Sequence, residues 1–281
     1  MQKYAIALGM FDGVHKGHKA VLMGAINSGY KSVAVTFSSI PFKKGGVLNS
    51  AKEKKQKLLN FGIDEVLFLE FSEVCNLSPE EFLNYLAKKY NVAKICCGFN
   101  YRFGKMAAGD TAFLKEWCTA KNIEFFECPE VLYGEQTVSS TYIKGLLLNG
   151  DLETANLLLE DGFSITAKVQ KGDARGRTWG FPTINQRYPE TKAPVKRGVY
   201  HTVVTIDGKT YNAVTNIGVR PTYETEYVSA ESYVLDYDGN AYDKEVETKL
   251  VSFLREEKKF SSKEELIKAI GNDAEYVKKH S

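Results

Sequence analysis

Gly9-Met10-Phe11-Asp12-Gly13-Val14-His15-Lys16-Gly17-His18 decides how this chain folds. It follows the unbroken apolar run Tyr4-Ala5-Ile6-Ala7-Leu8, whose length and composition suit a strand covered on both faces of a parallel sheet. Beyond it, Lys19 to Ser28 distributes Ala20, Val21, Leu22, Ala25 and Ile26 as a helix does. The stretch is therefore a strand-to-helix turn. Such a turn gathers backbone N–H groups and the positive end of a helix dipole at one point, which suits a phosphate. Gly9, Gly13 and Gly17 let the backbone approach a ligand closely. His15 and His18 are three residues apart, so in the first turn of a helix both imidazoles can face one anion.

These ten residues resemble the G-x-F-D-G-x-H-x-G-H signature of bacterial bifunctional riboflavin kinase/FAD synthetases, within the wider nucleotidyltransferase group that shares H-x-G-H. The resemblance implies ATP binding by Gly9, Phe11, Asp12, Gly13 and Gly17, with His15 and His18 stabilising the triphosphate and its transition state.

A length of 281 residues predicts two domains. The balance of 37 basic and 35 acidic residues, net +2, argues against a mainly electrostatic nucleic-acid binder. No apolar stretch is long enough to span a membrane, and the chain enters a strand almost at once, so the expectation is a cytoplasmic protein without a signal peptide. Cys75, Cys96, Cys97, Cys118 and Cys128 are odd in number and form no C-x-x-C pair. They read as reduced core residues rather than a zinc site or disulfide framework.

Strand-like runs at Lys31–Phe37, Glu65–Phe71, Ala93–Cys97 and Ile123–Cys128 alternate with helical stretches, which predicts a Rossmann-like, doubly wound parallel α/β sheet over residues 1–160. Ligands of such sheets bind beyond the carboxyl ends of the strands. Gly98-Phe99-Asn100-Tyr101-Arg102-Phe103-Gly104 falls at such an end and resembles the family's flavin and nucleotide loop, implying flavin contacts from Asn100, Arg102 and Phe103. Val138-Ser139-Ser140-Thr141-Tyr142-Ile143-Lys144 resembles the I-S-S-T-x-I-R motif closing the same triphosphate site, with Ser140, Thr141 and Lys144 toward ATP. Lysine keeps the charge of the family arginine but loses its bidentate fork, so weaker phosphate binding is expected there. The loop from Ser38 to Gly46 departs from the family pattern, with Ser38-Ser39-Ile40-Pro41 at its start.

Asp151 to Glu160 reads as a short helix, and from Phe163 the period changes to two. Short strands at Phe163–Val169, Gly198–Ile206, Lys209–Thr215, Ala230–Tyr237 and Val246–Leu254, with turn signals at Asp207-Gly208 and Asp238-Gly239, predict an all-β barrel over residues 161–281. Ser262-Lys263-Glu264-Glu265 is a capping box opening a C-terminal helix to about Lys279.

Gly172-Asp173-Ala174-Arg175-Gly176-Arg177-Thr178-Trp179-Gly180-Phe181-Pro182-Thr183-Ile184-Asn185 could wrap a phosphate, and Thr183 with Asn185 offers neutral oxygens suited to magnesium. The stretch resembles the G-R-x-x-G-F-P-T-x-N signature of riboflavin kinases. That implies ATP contacts from Gly172, Arg175, Gly176 and Arg177, flavin contacts from Gly180, Phe181 and Pro182, and Mg2+ on Thr183 and Asn185. Along Ser229–Tyr237, Glu231 shares a face with Tyr233, Leu235 and Tyr237. A carboxylate on an apolar strand face is costly unless used, and desolvation would raise its pKa toward that of a general base. It aligns with the family's catalytic glutamate, and Arg255 with a residue near the flavin.

The implied function is bifunctional: riboflavin and ATP to FMN in the barrel, then FMN and ATP to FAD and pyrophosphate in the first domain. The rivals are a kinase with an impaired adenylyltransferase domain and a flavin-binding regulator without turnover. Expected partners are small molecules, with neither nucleic acid nor membrane, in a monomer or weak homo-oligomer.

Overall fold

The computed structural model describes residues 2–38, 45–172, 176, 179–221 and 226–281. Five parallel strands, β1 (Tyr4–Leu8), β2 (Lys31–Phe37), β3 (Glu65–Leu69), β4 (Val92–Gly98) and β5 (Glu124–Cys128), form one sheet in the order β3-β2-β1-β4-β5. Alternation sends the side chains of β1 to opposite faces. Ile6 and Leu8 join one cluster with Phe82, Leu83 and Leu86 of α4 (Pro79–Lys89) and Leu114 and Trp117 of α5 (Thr111–Ala120). Ala5 and Ala7 join the other, with Val21, Leu22 and Ala25 of α1 (Lys16–Ile26) and Leu58 of α2 (Ala51–Asn60). The sheet is thus covered on both sides, as the continuous apolar strands require. A short α3 (Phe71–Val74) follows β3, and β6 (Leu132–Tyr133) pairs with β7 (Gln136–Thr137) before α6 (Ser140–Asn149) and α7 (Leu152–Leu158).

The contacts divide the chain into two compact units, Met1–Ile143 with Leu158–Asp161, and Lys144–Leu157 with Gly162–Ser281. In the second unit six strands close a barrel in the order β10-β11-β12-β9-β8-β13: β8 (Phe163–Gln170), β9 (Thr183–Arg187), β10 (Gly198–Ile206), β11 (Lys209–Pro221), β12 (Glu226–Val234) and β13 (Glu245–Arg255). A long helix, α8 (Lys263–Lys279), follows. The barrel interior holds Val169, Ile184, Val204, Ala213, Val234 and Val246. It also holds a hydroxyl ladder, in which Thr202 and Thr215 pair at 2.6 Å and Thr215 donates to Ser232 at 2.8 Å. Every rung has a partner, so these buried polar groups cost little.

Three expectations differ. Thr183 to Asn185 lies on β9, which is not among the expected strands, because the segment pairs with β12. β11 runs on to Pro221, beyond the expected strand end at Thr215. Asp207 and Gly208, both with positive φ, make the expected two-residue turn, whereas Asp238-Gly239 sits in the long connection between β12 and β13.

Candidate active sites

Beyond the carboxyl ends of β1, β2, β4 and β5 the first unit holds a cavity of about 840 Å³. Its wall includes Gly9, Phe11, His15, Gly17 and His18 from the turn, Asn100, Arg102 and Phe103 from the loop after β4, and Ser140 and Thr141 from α6. Residues far apart in sequence therefore converge on one place. The turn itself is tightly wound: Phe11 (φ 47°) and Val14 (φ 44°) lie in the left-handed region beside Gly13 (φ 93°). For a β-branched valine that conformation is strained, at about 1–3 kcal/mol. Packing holds it, since Phe11 and Val14 are buried and the Val14 carbonyl accepts the Glu160 N–H at 3.2 Å.

His15 and His18 cap α1 reciprocally. The Nδ1 of His15 accepts the His18 backbone N–H, and the Nδ1 of His18 accepts that of His15, both at 3.4 Å. Each Nδ1 is thus an acceptor, which leaves Nε2 to carry the proton of the neutral ring. The two rings stack with centroids 3.6 Å apart, and Phe11 meets His18 edge-on. Gly17 makes room for this arrangement, because a Cβ there would sit 3.2 Å from the His15 ring.

Not every candidate faces the cavity. Asp12 is 1% exposed and its Oδ1 accepts the N–H groups of Leu48 at 2.7 Å and Asn49 at 3.2 Å. It ties the approach to α2 onto the turn, and neither Asp12 nor Gly13 lines the cavity. Ser140 donates its hydroxyl to the Asp12 carbonyl at 2.8 Å, while Ser139, absent from the candidates, caps α6 by accepting the Tyr142 N–H. Phe103 is buried, its ring stacked on Tyr101 and packed against Phe82, so it gives the cavity an edge of the core rather than a free stacking face. Arg102 pairs with Asp110 at 3.4 Å, and Lys144 belongs to the second unit. Ser39 to Lys44 of the altered loop lies outside the described residues.

The barrel carries a second cavity of about 560 Å³ on its outer wall, roofed by Leu266, Ile270 and Asp273 of α8. Register builds it. Asn216 of β11 pairs with Glu231 of β12, which pairs with Asn185 of β9, and Tyr233 pairs with Thr183. All five line the cavity, because alternation turns them outward while Ala230, Ser232 and Val234 turn inward. Glu231, Tyr233 and Leu235 share a face as expected, but Tyr237 does not: β12 ends at Val234 and Tyr237 packs with Tyr211 against the interior cluster. The surroundings of Glu231 also differ. Glu231 is half-buried, with its carboxylate 3.6 Å from Arg220 Nη1, which also donates to Asn185 Oδ1 at 3.4 Å. A charged partner stands where desolvation among apolar neighbours was expected.

Arg255 lines this cavity and is held by Asp273, with Nη2 to Oδ2 at 2.7 Å and Nε to the same carboxylate at 3.1 Å. Gly176 and Phe181 also line it, and Phe181 meets Tyr233 edge-on at 5.1 Å. Pro182 instead lines a neighbouring cavity of about 650 Å³, and Thr183 lines both. Gly172 and Gly180 line neither, though a Cβ on Gly172 would reach 2.5 Å from Asn185 Nδ2. Arg175 and Arg177 lie outside the described residues.

Comparison with known proteins shows the family. A family model for FAD synthetase matches residues 1–142, and one for riboflavin kinase matches residues 159–281. The bifunctional riboflavin kinase/FMN adenylyltransferase of Listeria monocytogenes is 32% identical over 95% of this chain and 89% of its own length. The chain belongs to the bifunctional riboflavin kinase/FMN adenylyltransferase family. The Escherichia coli member is 31% identical over 95% of this chain and 90% of its own. A crystal structure of a Streptococcus pneumoniae protein named as a macrolide-efflux protein superposes with a TM-score of 0.89 at 27% identity, covering 99% of this chain and 94% of that one. That name belongs to that protein, and among the described residues of this kinase/adenylyltransferase relative no helix is long and apolar enough to cross a membrane.

Arg220 and Asp273 are absent from the candidates. Asp273 had a signal, since Leu266, Ile270, Asp273 and Val277 follow helical spacing, so a carboxylate occupies the apolar stripe of α8. Arg220 had none, because its neighbours come from β9 and β12. Among the described residues no group of three His, Cys, Asp or Glu could hold a metal. In the kinase cavity Thr183, Asn185 and Glu231 instead form a sparse set of hard oxygens. That suits magnesium, which keeps its waters and shares phosphate oxygens.

Proposed function

We propose a division of labour in which residues 161–281 phosphorylate riboflavin and residues 1–160 adenylylate FMN. The chain is a bifunctional transferase of flavin cofactor biosynthesis that uses ATP and flavins. One observation carries the division: Gly9, Phe11, His15, Gly17 and His18 of the first signature line a cavity in the first unit, and Gly176, Phe181, Thr183 and Asn185 of the second line one in the second unit.

In the kinase reaction the riboflavin 5′-hydroxyl attacks the ATP γ-phosphorus and ADP leaves. Glu231 takes the hydroxyl proton as general base. Arg220, 3.6 Å from that carboxylate, orients it. Thr183 lines both neighbouring cavities, which supports flavin in the cavity under α8 and ATP in the other, with the reacting groups meeting beside β9. Thr183 and Asn185 would hold Mg2+, which supplies charge neutralisation on the phosphates. Arg255, oriented by Asp273, borders the flavin.

In the second reaction an FMN phosphate oxygen attacks the ATP α-phosphorus and pyrophosphate leaves. No covalent nucleophile is required; alignment and neutralisation are. The Nε2–H groups of His15 and His18 donate to the phosphates, and the start of α1 adds its dipole. Gly9, Gly17 and Thr141 form the nucleotide wall, with Asn100 and Arg102 toward the flavin. The unbridged cysteines and the use of ATP support a cytoplasmic location.

A timed chromatographic assay with riboflavin, ATP and magnesium tests the reading. FMN appears first and then converts to FAD. FMN accumulating without FAD, even when FMN is supplied, refutes the adenylyltransferase half. The absence of both products refutes the whole and leaves a flavin-binding regulator.

A further inference from the structure

Lys54 is 4% exposed on α2, and its ammonium points into the sheet rather than to water. Its Nζ donates to the carbonyls of Met10 and Phe37, each at 3.0 Å, and to Thr36 Oγ1 at 3.4 Å. Thr36, also buried, donates its own hydroxyl to the Met10 carbonyl at 2.8 Å. Met10 follows β1 and Phe37 ends β2, so this one ammonium joins the points where two adjacent strands leave the sheet. Met10 and Phe37 line the first cavity, whereas Lys54 and Thr36 do not. The clamp therefore grips the cavity wall from behind.

Its place in the chain gives it purpose. Phe11, next after Met10, begins the left-handed turn that delivers His15 and His18 to the cavity. A strained turn persists only when its surroundings over-determine it. On one side Asp12 holds Leu48 and Asn49, and on the other Lys54 and Thr36 hold Met10. Burying a charge is costly unless hydrogen bonds satisfy it, and here oxygens of Met10, Thr36 and Phe37 do so.

We infer that Lys54 is a positioning residue for adenylyl transfer, which fixes the Met10 carbonyl together with Thr36 so that the strained turn holds both histidines against the nucleotide. The inference rests on the adenylyltransferase reading of the first cavity. Lys54 touches no reacting atom, and its effect passes through the main chain of Met10 to Val14. A displacement of about 1 Å in such a wall costs roughly a hundredfold in rate.

The test uses the full chain with Lys54→Met, which keeps the buried stem, and Thr36→Val, which keeps the volume. FAD formation is measured from supplied FMN and ATP, and FMN formation from riboflavin by the same preparation serves as the internal standard. For K54M, kcat for FAD formation is expected to fall about tenfold to a hundredfold. KM for ATP should move less than about threefold and the kinase rate less than twofold, since the histidines act mainly on the transition state. T36V should show the same pattern more weakly, and the double variant should lose less than the product of the two losses, because both act on one carbonyl. Wild-type kcat per folded molecule in K54M, even with a lowered unfolding midpoint, overturns the inference, as does strict multiplicativity of the two variants. If K54M does not fold, T36V decides alone: an unchanged kcat overturns the inference and a lowered kcat at unchanged KM supports it. Wild-type protein that makes no FAD removes the adenylyltransferase reading itself, and the inference with it.

Discussion

The reciprocal capping of His15 and His18 predicts that stability and catalysis can be separated at one position. In His18→Asn, the Oδ1 of asparagine stands where Nδ1 stood, one bond beyond Cγ, and can still accept the His15 N–H now held at 3.4 Å. Nothing replaces Nε2–H. In His18→Ala both are lost. Losing a helix cap costs about 1 kcal/mol, and for a unit of this size that lowers the unfolding midpoint by about 3 °C. Removing a preorganised donor from a developing charge costs about 10²–10³ in kcat. His18→Asn should therefore melt within about 1 °C of wild type yet lose about 10²–10³ of its FAD-forming kcat, given the cited donor effect. His18→Ala should lose both. Riboflavin phosphorylation should stay at the wild-type rate in each, since the histidines line the other unit's cavity. Differential scanning calorimetry and the chromatographic assay, run on the same samples, decide it. FAD formation by His18→Asn within threefold of wild type would mean that the ring serves only as a cap. Equal melting of the alanine and asparagine variants would show the long hydrogen bonds to be worth nothing.

In the barrel, Glu231→Gln keeps the shape and removes the base, so kinase kcat should fall by about 10²–10⁴, while FAD formation from supplied FMN is unchanged; a kinase rate near wild type would acquit Glu231 as base. Gly172→Ala forces Asn185 to move, because its Cβ would lie 2.5 Å from Asn185 Nδ2, and the magnesium required for half-maximal kinase activity should rise. An unaltered magnesium dependence would remove Asn185 from the ion. Asp273→Asn breaks the bidentate grip on Arg255 and should raise KM for riboflavin more than it lowers kcat, measured by steady-state kinetics, at a stability cost of about 1 kcal/mol in this partly solvated pair. Burial pushes the Cys96, Cys97 and Cys118 thiols up to about 12, and Cys128 upward as well. At pH 8 the folded protein should therefore react with a thiol reagent at the partly exposed Cys75 alone, and at all five after unfolding.

Much of this molecule is written locally. The turn Gly9–His18 was legible because an apolar run, glycines and two histidines at helical spacing specify a strand, a tight backbone and a helix start over a few residues. The period-two pattern after Phe163 and the Asp207-Gly208 turn likewise announce a barrel. Glu231's shared face with Tyr233 followed from alternation alone. Alternation says which residues share a face, however, and not what covers it. Only the barrel's closure and the docking of α8 put that face on the outer wall and set Arg220 against the carboxylate. Asp12 looked like a ligand because it stands between ligand-facing residues, yet the left-handed backbone at Phe11 and Gly13 turns it inward to Leu48. Sequence by itself determined the two architectures, the strand-to-helix turn and several of the side chains that line each cavity. The tertiary structure decided which groups face a cavity and which are tied behind its wall, as Asp12 and Lys54 are, because hydrogen bonds between residues tens of positions apart depend on packing that no local period encodes.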